Sequence, residues 1–468
     1  MKTSELIHYA FHPNQLRAMV QWKVWHNPLN QRDPTTEAPT LKRCFEFLDL
    51  TSRSFSAVIQ ELCPELCVSV SLFYLVLRGL DTIEDDMTIP IETKEPLLRD
   101  FDKILDKEGW KFNGNGPKEK DRQLLVEFDV VIAEFAKIPP EHQVIIKDIT
   151  RKMGNGMADY ANNTAHQLNG VNTIEDYDLY CHYVAGLVGE GLTRLFVVTE
   201  KANKILLERD DLSNSMGLFL QKTNIIRDYR EDLEDKRGFW PREIWSKHVK
   251  EYKDLADRKN EEAALNCISE MCLDSLRHAE DVLFYLAGIR EQSVFNFCAI
   301  PQVMAIATIA LIFRNKDVFQ RNVKIPKGEA CELLLSVGNL RMVCDTFKKY
   351  IRIIHKKNNP KDPNYLRISA ACGKVEQWIE NVFPRDQPAP RAPAGPQLSP
   401  EEEALQKKEM MMLSATIFGT MLVMSGLMIF GAWMAGARFD LAFKEVAKHG
   451  LSLFPSRKDN APQGHQEL

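Results

Sequence analysis

Long apolar runs that end in acidic clusters dominate the hydropathy pattern of the chain. Residues 66–86 (LCVSVSLFYLVLRGLDTIEDD) stay apolar well past the length of one strand, then turn acidic. Residues 213–235 (SNSMGLFLQKTNIIRDYREDLED) repeat the arrangement, and residues 292–314 (QSVFNFCAIPQVMAIATIALIFR) are almost wholly apolar. Strands rarely exceed about eight residues, so runs of this length read as helices. The third predicts a buried helix interrupted at Pro301, because proline lacks the N–H and its ring crowds the preceding turn. Alternating apolar and polar positions flanked by hairpin turns are scarce. The pattern predicts an all-α fold.

A fourth apolar run differs in kind. From Met410 to Ala437 no residue is charged, and Lys407, Lys408 and Arg438 bracket the stretch. At about 1.5 Å per residue it exceeds the ~30 Å hydrocarbon core of a bilayer, which predicts a C-terminal transmembrane helix. Six prolines between Pro384 and Pro400 rule out a packed core there and mark a linker. The expected organisation is a helical domain over 1–383, a linker with a polar flank over 384–409, an anchor over 410–437 and a short tail over 438–468. Asn113-Gly114-Asn115-Gly116-Pro117 reads as a surface loop. Flanking charge is balanced, three basic residues on one side and four on the other, so it does not orient the anchor. The N-terminal residues lack a signal-peptide core, so a tail anchor with the large domain in the cytosol is expected.

Composition narrows the class. A formal charge of -5, with no basic stripe among aromatics, argues against nucleic acid as a partner. The ten cysteines are scattered without a zinc-ligand spacing and read as reduced core thiols.

The acidic ends carry the candidate chemistry. Asp81, Glu84 and Asp85 close the first run; Asp228, Glu231 and Asp232 close the second. In each, carboxylates at i, i+3 and i+4 share a helical face and repel, at a cost of a few tenths of a kcal/mol. One such cluster is ordinarily a solvated helix end. Two, each ending an apolar helix, point to magnesium, which takes one or two carboxylates and completes its octahedron with water and phosphate oxygens. Arg78, Arg227, Lys236 and Arg237 lie beside the clusters, and Arg53 sits among hydroxyls in Thr51-Ser52-Arg53-Ser54-Phe55, a set suited to phosphate oxygens. An apolar channel formed by Phe73, Leu77, Leu218, Phe219, Phe295, Phe297 and Met304 would bury a fifteen-carbon prenyl tail for on the order of 10 kcal/mol. In Tyr180-Cys181-His182-Tyr183-Val184-Ala185-Gly186-Leu187-Val188-Gly189 the two glycines mark a helix that admits a ligand or a close neighbour. Tyr180 is a candidate proton acceptor or cation stabiliser, and His182 reads as a core histidine.

At these residues the chain resembles the squalene synthases, head-to-head trans-isoprenyl diphosphate synthases. The resemblance rests on Thr51–Phe55, Phe73–Arg78, Asp81–Asp86, Tyr180–Gly186, Gln221–Tyr229 and Val294–Gln302, in family order. It implies an isoprenoid-synthase helical domain with a central channel. The implied reaction joins two farnesyl diphosphates to presqualene diphosphate and reduces that with NADPH to squalene, the first committed step of sterol biosynthesis. It also implies Mg2+ bound by Asp81, Glu84, Asp85, Asp228, Glu231 and Asp232, and substrate contacts from Arg53, Ser54, Phe55, Tyr74, Arg78, Gln221, Asn224 and Arg237. Tyr180 would act in the first half-reaction, with Phe297 bordering the second-stage pocket. Cofactor contacts fall on Lys42, Arg53, Lys324 and Lys327, although Pro326 stands where the family usually has a basic residue, and Arg230 where an apolar one is common. NADPH rests on the resemblance alone, since no GxGxxG follows a strand. The implied setting is the endoplasmic reticulum membrane, with the protein acting as a monomer.

Overall fold

The computed structural model describes residues 9, 12–24, 26, 28–52, 54–161, 170–384 and 400–434. It divides into two compact units, Met1–Arg385 and Asp386–Leu468. The helices that bear on function are α1 (Pro39–Ser52), α2 (Ser54–Gln60), α3 (Pro64–Asp85), α4 (Pro140–Ala161), α5 (Ile174–Cys181), α6 (Leu187–Val198), α7 (Asp210–Arg227) and α8 (Tyr229–Glu234). They are followed by α9 (Glu261–Leu276), α10 (Gln292–Ile312), α11 (Leu340–Lys357), α12 (Tyr365–Val382) and α13 (Pro400–Met434). Among the described residues there is no strand, only an isolated bridge between Ala202 and Ile289.

Local chemistry sets where the key helices start and stop. Pro64 opens α3 in its first turn, where the missing N–H costs nothing. The helix ends where Asp86 turns extended, its carboxylate taking N–H bonds from Thr88 and Gly116, each at 2.8 Å. The loop that carries Gly116 is a surface loop in most of its length, but Asn115 is buried and donates to Asp86 at 3.0 Å. The first acidic cluster is thereby held at a fixed helix end.

Two expectations need correction. The run 213–235 is two helices, because the backbone of Asp228 (φ -89°, ψ 9°) breaks it into α7 and α8. Bonds from Asp228 N to Asn224 O (2.9 Å) and from Asp232 N to Asp228 O (3.0 Å) carry the helical path across the break, so the i, i+4 spacing survives. The third run is not interrupted at Pro301: α10 passes straight through it. An interior proline costs about 3 kcal/mol. Each fully buried Val or Ile returns roughly 1.5–3 kcal/mol, and Val294, Val303, Ile306 and Ile309 are all 0% exposed.

Among the described residues, three helices are long and apolar enough to cross a membrane. In α3 and α10 most of that apolar surface is buried inside the first unit, 78% and 72% respectively. Of Met410–Met428, within α13, none is buried. The first two are core; the third keeps its apolar surface uncovered. The predicted tail over 438–468 lies outside the described residues, as does most of the predicted linker.

α7 meets α6 and the preceding turn at backbone contact. A Cβ at Gly189 would sit 2.2 Å from the carbonyl oxygen of Ser213, and one at Gly217 would sit 2.3 Å from that of Ala185. The close neighbour that Gly189 admits is therefore α7. Gly217→Ala should lower stability by roughly 1–3 kcal/mol, the range for overpacking, measured by denaturant unfolding; an unchanged midpoint would mean that the helices separate freely. Ending the chain at Pro384 should leave a soluble domain with the cooperative unfolding of the first unit, and a truncated domain that melts non-cooperatively would contradict the division into units.

Candidate active site

α3, α6, α7 and α10 enclose a cavity of about 310 Å³. Its walls are apolar: Phe55 from α2, Phe73 and Leu77 from α3, Leu192 and Phe196 from α6, and Phe297 from α10. Phe297 packs on Phe55 (ring centroids 5.4 Å apart) and edge-on to Phe196 (6.1 Å). Of the expected wall residues, Phe73, Leu77 and Phe297 line it; Leu218, Phe219, Phe295 and Met304 do not, and pack in or against the surrounding core instead. Helical spacing alone does not separate the face of a helix that lines a cavity from the face that meets a neighbour.

Polar side chains gather among the lining residues. Arg78, Asp81, Gln221 and Asn224 face the cavity together with Tyr74, whose hydroxyl accepts a bond from Arg78 Nη2 at 3.0 Å. Arg78 also stands 3.7 Å from Asp81, and its buried Nε has no hydrogen-bond partner among the described residues. That donor faces the Asp121 carboxylate 4.0 Å away, too far for a hydrogen bond.

Arg237 joins the two acidic clusters. Its Nη1 donates to Asp85 at 3.0 Å, and its Nη2 lies 3.7 Å from Asp232. The preceding Lys236 has φ 60°, the left-handed conformation that ends a helix. Arg237 N bonds Asp232 O at 2.7 Å, so the chain reverses immediately after α8 and returns the guanidinium toward the first cluster. The carboxylates of α3 and α8 thus converge, and a cation already stands between them. The remaining members are held from outside: Asp228 by Arg227 (2.6 and 2.7 Å), Glu231 by Asn322 (2.7 Å) and the Glu84 carbonyl by Lys94 (2.7 Å). Arg230 pairs with Glu234 on its own helix at 2.8 Å.

Burial and repulsion from neighbouring carboxylates raise Asp81, Glu84 and Asp232. Asp81 is pushed up to about 7, chiefly by loss of solvent, with Asp85 and Asp121 adding to the effect and Arg78 opposing it. Glu84 is pushed up to about 8 by burial and then by Asp85 and Asp81. Asp232 rises to about 7 for the same first reason, against the pull of Arg237. A site that resists its own negative charge favours added positive charge. Among the described residues no three His, Cys, Asp or Glu side chains gather around one metal point.

Tyr180 stacks on Phe239 (5.4 Å) and meets Tyr160 edge-on (5.3 Å). Burial, then Glu84 and Asp85, raise its phenol well above the ordinary value. A π-helical turn, His182–Gly186, follows α5 and brings Val184 and Ala185 into the cavity wall. His182, expected in the core, is only half-buried and bonds Asn214 at 2.8 Å. All ten cysteines are free and nine are buried, as expected of core thiols.

The expected cofactor lysines lie apart from the cavity lining. Lys42 is half-exposed on α1, and Lys324 and Lys327 are exposed. Arg53 and the side chain of Ser54 lie outside the described residues. Several lining or supporting groups were given no role by the sequence, although Gln302 ends one of the stretches that carry the resemblance. Asp121 faces Arg78 at 4.0 Å, Tyr285 bonds Thr193 at 2.7 Å, and Gln302 donates to Met216 O at 3.0 Å while its Oε1 is left without a partner. Each comes from a segment far along the chain and becomes legible only through folding.

The Squalene/phytoene synthase family profile matches residues 48–329. A protein of Neurospora crassa described as a probable squalene synthase is 60% identical over 442 residues, 94% of this chain and 92% of its own length. A Saccharomyces cerevisiae squalene synthase is 52% identical over 379 residues, 81% of this chain and 85% of its own. A solved structure of TcSQS with a ligand is 40% identical, with a TM-score of 0.70, covering 73% of this chain and 99% of that one. With paired acidic helix ends at an apolar cavity and relatives of this identity along most of its length, the chain belongs to the squalene synthases of the squalene/phytoene synthase family.

Proposed function

We propose that this protein condenses two farnesyl diphosphates to presqualene diphosphate and reduces that intermediate with NADPH to squalene, the first committed step of sterol synthesis. The observation that carries the reading is the convergence of the two acidic helix ends through Arg237 beside an apolar cavity. Diphosphate needs cations and hydrogen-bond donors; the prenyl chain needs a dry apolar space. The site offers both.

Arg78 and the amides of Gln221 and Asn224, which line the cavity, would hold diphosphate oxygens. Magnesium, held by Asp81, Glu84, Asp85, Asp228, Glu231 and Asp232, would supply the charge that stabilises the departing diphosphate. The apolar walls exclude water, which would otherwise capture an allylic carbocation. Tyr180 keeps its proton at neutral pH, and its ring face suits a developing cation. Phe297, Phe196 and Phe55 extend the same aromatic environment inward.

Electron counting supports a reductant. Two C15H25 groups joined with loss of one proton reach C30H50 only by gaining a hydride, and the buried, protonated cysteines supply none. NADPH would deliver that hydride. Exposed Lys324 and Lys327 suit its phosphates, and Asn322, two residues before Lys324, is tied to Glu231 of the second cluster. α13 is read as a membrane anchor that places the enzyme on the endoplasmic reticulum with the catalytic domain in the cytosol.

Purified protein given farnesyl diphosphate and magnesium should release squalene only when NADPH is added, read by product mass. Squalene in neither tube rejects the reading in favour of a non-reducing relative that stops after condensation. Asp81→Asn or Asp228→Asn should cost at least about 10²-fold in kcat with the fold intact; activity retained in both would remove the metal assignment.

The raised carboxyls also fix a pH dependence. Unfolded Asp and Glu titrate near ~4, so the folded metal-free protein holds extra protons between about pH 4 and 8. Their contribution is present at low pH and lost as pH climbs through 7 to 8. In chelator, the fall in Tm from pH 5 to pH 8 should be smaller in Glu84→Gln than in the unaltered protein. Equal falls would show that Glu84 is not strained by its neighbours.

A further inference from the structure

The last two helices of the catalytic unit have a charge opposite to the rest of the chain. Residues 340–385 carry ten Lys and Arg against four Asp and Glu, within a protein whose net charge is -5. α11 and α12 form an antiparallel hairpin whose inner faces, Val343, Phe347, Ile351 and Ile354 on one helix and Ile368, Cys372, Val375 and Ile379 on the other, are buried. Two acidic residues are used up internally, Glu376 by Arg352 and Glu380 by Lys348. Lys349, Lys356, Lys361, Arg367 and Lys374 are exposed and have no acidic partner among the described residues.

An apolar tip stands among these cations. Leu366 is 77% exposed, the most exposed large apolar side chain among the described residues. It flanks a turn that is firmly held. Buried Asp362 accepts from Arg314 Nη1 at 2.5 Å, from Ser269, and from the N–H of Asn364 at 2.8 Å. The cations and the leucine therefore project from a rigid platform rather than from a loose end. The hairpin also stands next in sequence to the anchor. The seventeen residues between α12 and α13 can reach at most about 60 Å even fully extended.

We propose that the α11–α12 hairpin is a lipid-docking surface that lays the catalytic unit on an anionic bilayer, with unpaired lysines on the headgroups and Leu366 at the acyl boundary. Cations near a charged leaflet attract it within a Debye length, and an apolar side chain in their midst adds burial. The cavity would then be held near the surface into which an apolar product must leave. The proposal rests on reading α13 as an anchor.

The test uses the full chain in vesicles of phosphatidylcholine alone or with phosphatidylserine. Amine-reactive labelling followed by mass spectrometry reads Lys349, Lys356, Lys361 and Lys374 against Lys103 and Lys111 elsewhere on the domain. The hairpin lysines should be protected several-fold in anionic vesicles only, and raised salt should remove the protection. Lys356→Gln with Lys361→Gln and Lys374→Gln should weaken the contact about fivefold per cation removed, and Leu366→Asp should weaken it as well. Turnover in detergent should be unchanged in each variant. Equal labelling in the two vesicle types overturns the proposal, and so does protection that persists without anionic lipid, which would assign the face to a protein. Flotation in high salt reports the anchor separately: a chain that floats yet shows no protection has an anchor and no docking face, and one that floats only with anionic vesicles at low salt has the face without the anchor.

Discussion

Two acidic helix ends, each crowded with carboxylates that repel within their own cluster, are joined by Arg237 near an apolar cavity, and much of the surrounding structure holds them there. Arg237 spans the two clusters, Arg227 and Asn322 hold the second from behind, and Lys94 and Asp86 secure the end of α3 that carries the first. Even so, Asp81, Glu84 and Asp232 remain well above the ordinary carboxyl range. Unrelieved charge of this kind disfavours folding and favours any ligand that brings cations with it. The instability and the binding capacity are the same property.

The fold serves that arrangement by bringing backbone close to backbone. Glycines at 189 and 217 let α7 approach α6 and the π-helical turn, and the space so gained is the cavity wall itself, since both residues line it. A π-turn inserts one residue into a helix and shifts the faces on either side. Here it separates Tyr180, within the influence of Glu84 and Asp85, from Val184 and Ala185, which line the cavity. Polar chemistry and apolar containment are thus divided within one short segment.

Much of this was legible in the sequence, for physical reasons. Long uncharged runs leave few alternatives to buried helices, and i, i+4 carboxylates repeated at two apolar helix ends are costly enough to demand a purpose. Charge and apolar length also separated the C-terminal helix from the core. What stayed hidden depends on approach between distant segments. Arg237 read as a neighbour of the second cluster and, by resemblance, as a substrate contact; its bond to Asp85 depends on the left-handed Lys236 that turns the chain back. Leu218, Phe219 and Phe295 carry the right spacing but face the core, and Pro301 is overruled by packing around α10. Tyr285 gave no local sign, because a lone polar residue in an apolar helix matters only once a cavity opens beside it.

The claim on which all else depends is that the two acidic clusters act as one binding site. A double-mutant cycle on Asp81→Asn and Asp228→Asn, read by calorimetric affinity for pyrophosphate with magnesium, measures that coupling directly. A combined loss clearly different from the sum of the single losses is expected, because each cluster holds the same anion. Strictly additive losses would mean two independent sites, and would contradict the convergence on which the proposed chemistry rests.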